Sequence, residues 1–194
     1  MQLWQYLFIA MKVMAQLPGN CAEEPRMECQ SWAEVHAEAP EEAEVRYQEI
    51  AHQIAGEAVW RKIVEQGKHT DIALARHALN VLFLAGAESG FSILVDNGTC
   101  NKRNLVGKDF TRVKRLGGCD GGHAYSMWQM HPDLITDAAQ GIRGINLIED
   151  RAKSISIAWD LHRIRPKAWT TWRWARALTS RWEASHSLQE ISLQ

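Results

Sequence analysis

The sequence predicts a mainly α domain. Apolar residues recur at helical spacing over four stretches: 43–64, 70–88, 142–162 and 169–182. Glycines and turn residues crowd into one interval, 94–126, which reads as loop with a short hairpin. The 194 residues are 46% apolar and 23% charged, enough for one sizeable core and ordinary for a globular domain. No apolar run reaches the length of a spanning helix. The formal net charge of −1 gives no reason to expect a polyanionic partner. It conceals an asymmetry: residues 1–60 hold ten acidic and three basic side chains, whereas 161–182 hold six basic and no acidic ones.

Taken in order, residues 1–42 read as leader and linker ahead of a domain at 43–194. The opening MQLWQYLFIAMKVMA supports two readings. One is a signal peptide over residues 1–15, with small residues before a cleavage point at Ala15 but no basic residue at its start. The other is an amphipathic first helix. Residues 16–43 carry seven glutamates and three prolines, too little apolar surface to form a core. After Pro40 the spacing of Val45, Ile50, Ile54, Ala58 and Val59 predicts a helix running to Val64, ended by Gly67. A second helix starts behind Thr70, a good N-cap, with Asp71 in its first turn. Its stretch Val81–Ala87 is apolar on every face, which marks a helix driven into the core. Helices over Ile142–His162 and Trp169–Trp182 complete the chain.

Four cysteines, Cys21, Cys29, Cys100 and Cys119, allow two disulfides in three connectivities. The simplest is Cys21–Cys29 with Cys100–Cys119; free buried thiols are the alternative. The spacing of Cys and His fits no zinc motif. His123 and His131 are eight residues apart and match no compact ligand pattern, so neither metal nor cofactor is expected.

Glu88 is the most informative residue. It closes the apolar stretch, at the C-terminal end of the buried helix. Burial and the negative helix end both disfavour its ionised form, as suits a general acid near neutral pH. A second segment, Cys119-Asp120-Gly121-Gly122-His123-Ala124-Tyr125-Ser126-Met127-Trp128-Gln129-Met130-His131, follows downstream.

Together, Glu88-Ser89-Gly90-Phe91 and this Asp-Gly-Gly…Trp-Gln-Met-His segment resemble the lysozyme-like superfamily, nearest to soluble lytic transglycosylases and goose-type lysozymes. The resemblance covers residues 43–182. It implies a lysozyme-like fold, with a minimal β-hairpin and a buried central helix ending in the catalytic Glu. It also implies cleavage of the bond between N-acetylmuramic acid and N-acetylglucosamine in peptidoglycan, by a monomer outside the cytoplasm or carried by a phage. Glu88 takes the part of general acid. Asp120, nine residues before Gln129 as in goose-type relatives, takes that of the water-positioning carboxylate. Ser89, Tyr125, Trp128 and Gln129 line the sugar cleft, with backbone from Tyr125 to Trp128 forming one wall. A carboxylate about 6.5–9.5 Å from the acid permits inversion by water. Without one, the substrate's own 6-hydroxyl closes an anhydro ring, with Glu88 as acid and then base. The sequence departs from the pattern at Ser126, where relatives have Gly, and at His131, where goose-type enzymes are acidic. Ala175-Arg176-Ala177-Leu178 stands in place of the transglycosylase Ala-Tyr-Asn motif.

The C-terminal tryptophans, Trp159, Trp169, Trp172, Trp174 and Trp182, alternate with arginines. A closing helix with tryptophans in the core accounts for them, leaving Trp172 as a candidate sugar platform. Two rivals to the enzyme reading remain. One is a glycan-binding or structural member of the same fold without turnover. The other is a nucleic-acid-binding helical protein, suggested only by this tail.

Overall fold

The structure, a computed structural model, describes residues 1–16, 40–89, 91, 126–128, 130, 151–164 and 170–193. They form five helices: α1 (Leu3–Gln16), α2 (Pro40–Val64), α3 (Asp71–Ser89), α4 (Arg151–Ile164) and α5 (Thr170–Ser185). No strand occurs among the described residues. The protein is mainly α, as expected. The expected hairpin and the N-terminal part of the helix predicted from Ile142 lie outside the described residues.

Helix α3 is the hub and packs against each of the other four. Every residue from Ala78 to Ala85 is buried. A surface helix buries one stripe; a helix with neighbours on all sides needs the all-round apolar run that this one has. Its N-terminus follows the predicted chemistry, with the Thr70 hydroxyl accepting the Ala73 N–H at 3.2 Å.

Helix α2 starts with Pro40, Glu41 and Glu42 and ends with Arg61 and Lys62, charges that complement the helix dipole. Gln66 (φ 49°) and Gly67 (φ 75°) then turn the chain through left-handed backbone, the usual way out of a helix. Ile50, Ile54 and Ala58 face the core. Arg61 is buried at 7% exposure and grips Asp160 of α4 with two guanidinium nitrogens, at 2.6 and 2.9 Å. Its Nε donates to Glu57 at 2.7 Å. Burial acts to lower the Arg61 pKa, but the bonds to Asp160 and Glu57 outweigh it and hold the pKa above its usual value. This fork ties α2 to α4 with a geometry that lysine cannot reproduce.

Helix α1 packs into the same core. Leu3, Tyr6, Leu7, Ala10 and Met11 are buried and recur at the spacing of one helix face. That stripe gives the opening segment the amphipathic form. Leu3 N–H donates to the Ser192 carbonyl at 3.1 Å, and Ser192 N–H to the Met1 carbonyl at 3.0 Å. The Tyr6 hydroxyl donates to the His186 carbonyl at 2.7 Å. Burial pushes this phenol up to about 12.

Helix α5 lies along α3, its Trp182 meeting Phe83 edge-on at 6.3 Å and Tyr6 at 6.1 Å between ring centroids. Trp159 of α4 is buried, while Arg173, Arg176 and Arg181 of α5 are exposed. The described tryptophans of this region therefore serve mostly as packing, with Trp174 half-exposed.

Candidate functional site

The C-terminal end of α3 carries Glu88 in the last turn. The helix emerges from the core just before it. Ala85 is fully buried, whereas Gly86, Ala87 and Glu88 are half-buried. Gly86 is crowded: a Cβ there would lie 2.5 Å from the Met14 methyl and 2.8 Å from Cζ of Phe91, so one of those side chains would have to shift. Phe91 itself folds back under the helix end, 1% exposed, with its ring 5.8 Å from that of Tyr47. It does so with φ 57°, a left-handed conformation that a bulky residue adopts only when its surroundings impose it.

The second segment meets the same helix. Ser126 has φ 60° and is buried, and its Oγ accepts the Trp128 N–H at 3.3 Å, closing a tight turn. Met127 and Met130 are buried on either side of Trp128. The Trp128 indole is fully buried, and its Nε1–H donates to the carbonyl of Val81 in α3 at 2.8 Å. Two stretches widely separated in sequence thus converge on the C-terminal half of one helix. Each contains a buried non-glycine residue with positive φ.

Of the predicted site residues, Glu88 and Trp128 are brought to this helix. Trp128 has no exposed surface. Ser89 and Trp172 lie on α3 and α5, with only their backbones described. Asp120, Tyr125, Gln129, His123, His131 and the four cysteines lie outside the described residues. Sequence reasoning placed Phe91 in the first motif without giving it a role, and missed Gly86 and the Val81 carbonyl. Only Gly86 left a signal, as a glycine inside an otherwise strong helix.

Among the described residues, no group of three His, Cys, Asp or Glu side chains is placed to hold a metal ion. No described helix is long and apolar enough to cross a membrane. An open groove of about 510 Å³ lies at the other end of α3, lined by Ile72, Arg76, Glu183, His186 and Leu188 among others. There Arg76 and Glu183 bind each other at 2.7 Å, so their charges are already matched. Comparison of the chain with protein-family profiles, curated proteins and solved structures finds no match.

Proposed function

We propose that this chain is a lysozyme-like enzyme that cleaves the glycan backbone of peptidoglycan, with Glu88 as general acid. One observation carries the reading: Glu88 lies in the last turn of a helix whose Ala78–Ala85 stretch is buried, and Trp128 of the second segment bonds that helix. These are the two segments whose residues resemble the family. The departure at Ser126 also becomes intelligible. Relatives have glycine there, and Ser126 takes the left-handed backbone that glycine adopts most easily.

In this reading the carboxyl of Glu88 gives its proton to the glycosidic oxygen as the bond to the muramic acid carbon breaks. Water that gives a proton to the Asp120 carboxylate, or the 6-hydroxyl of the same sugar, then attacks that carbon. In the second case Glu88 takes the hydroxyl proton back. Mass spectrometry of fragments released from purified walls tests both routes. Reducing muramic ends assign attack by water, and 1,6-anhydro ends assign attack by the hydroxyl. Release of neither by the wild-type chain overturns the proposal and favours a glycan-binding member of the fold.

A further inference from the structure

We propose that Trp128 is a positioning residue for Glu88: its indole fixes the Ser126–Trp128 turn to the face of α3 that carries Glu88. The consequence for rate rests on Glu88 being the catalytic acid; the geometry does not.

Val81 and Glu88 are seven residues apart, close to two helical turns, so they share a face of α3. The Val81 carbonyl belongs to the middle of the helical ladder. The bond from the Trp128 indole at 2.8 Å is an extra one, on the oxygen's second lone pair. It gives direction to a contact that burial alone leaves loose. Met127 and Met130 are flexible fillers and tolerate a shift in register. A rigid, fully buried indole anchored to a fixed carbonyl does not. The turn is locked at its own base as well, where the Ser126 hydroxyl takes the Trp128 N–H. On the other side, Phe91 wedged against Gly86 fixes the chain leaving Glu88. Phe91 thus braces the last turn of α3, and Trp128 ties the Ser126 turn to the same helix two turns earlier, at Val81. A phenylalanine at 128 fills most of the same space but cannot make that bond.

The test uses the full chain as wild type, Trp128→Phe, and a chain with 3-benzothienylalanine at position 128. The last keeps the shape of the indole and removes only its N–H, which covers the case in which Trp128→Phe fails to fold. Two readouts are taken: the titration of the Glu88 carboxyl by 13C NMR, and wall clearing across substrate concentration. In a folded variant, the Glu88 midpoint is expected to move by about half a pH unit or more, because its surroundings shift. Maximal clearing is expected to fall roughly tenfold to a hundredfold, with half-saturation nearly unchanged. An unmoved Glu88 midpoint in the benzothienyl chain overturns the positioning role, whatever the clearing rates. If wild type clears no walls, the glycosidase reading fails, and the titration still decides the role of Trp128.

Discussion

At its N-terminal end α3 obeys every local preference. Thr70 caps it, Asp71 sits in the first turn and pairs with Lys62 at 2.8 Å, and the preceding left-handed residues, Gln66 and Gly67, are exposed at a helix exit. At its C-terminal end the preferences are broken. A glycine sits inside the helix, a phenylalanine and a serine hold positive φ while buried, and a tryptophan bonds a carbonyl that the ladder already uses. The same helix thus has one end built for stability and one end held in shape by its neighbours. Strain kept in a packed environment marks places where geometry matters, and this end is the one with Glu88.

The contrast can be broken by mutation, most severely at Trp128. Trp128→Ala leaves a large cavity and an unused site on Val81, and is expected to cost about 3–5 kcal/mol. At the other end, Thr70→Ala removes a cap and is expected to cost about 1 kcal/mol. Urea melts of the two variants measure the difference, and equal losses would remove the distinction between the ends. Glycines give the next test. Gly86→Ala forces Met14 or Phe91 aside, at an expected cost of about 1–3 kcal/mol. Gly56→Ala in α2 meets nothing within 4 Å and is expected to stabilise by about 0.4–1 kcal/mol. Opposite signs in the two melting curves sharpen the claim that crowding is confined to the Glu88 end.

A pH-dependent effect is expected on α1, at Tyr6. The fold keeps this phenol protonated up to about 12, against about 10 in the unfolded chain. Its contribution is therefore complete below pH 10 and is lost as pH rises from 10 towards 12. Tyr6→Phe is expected to flatten that stretch of the stability curve, measured by denaturant midpoints at each pH.

How much of this could be read in advance follows the physics of each element. Helices α2 and α3 were legible to within a residue or two, because Pro40, Thr70 and Gly67 punctuate clear helical periods. The burial of α3 was legible in the Val81–Ala87 run. The role of α1 was not. Its apolar stripe serves a core face and a signal peptide equally well, and its contacts with residues 186–192 reach across almost the whole chain. The Glu88 end was legible in part. Its residue types were visible, but the positive φ of Phe91 and Ser126 is imposed by packing and breaks the propensities that sequence reading uses. The Trp128–Val81 bond spans 47 positions and leaves no local trace.

The central claim is that the C-terminal end of α3 is a catalytic site and the N-terminal end is scaffold. Turbidity of a cell-wall suspension tests it with wild type, Glu88→Gln and Asp71→Asn, one carboxylate from each end. The account predicts that Glu88→Gln slows clearing by about a hundredfold or more while Asp71→Asn clears like wild type. Equal clearing by wild type and Glu88→Gln, or none by either, would contradict it.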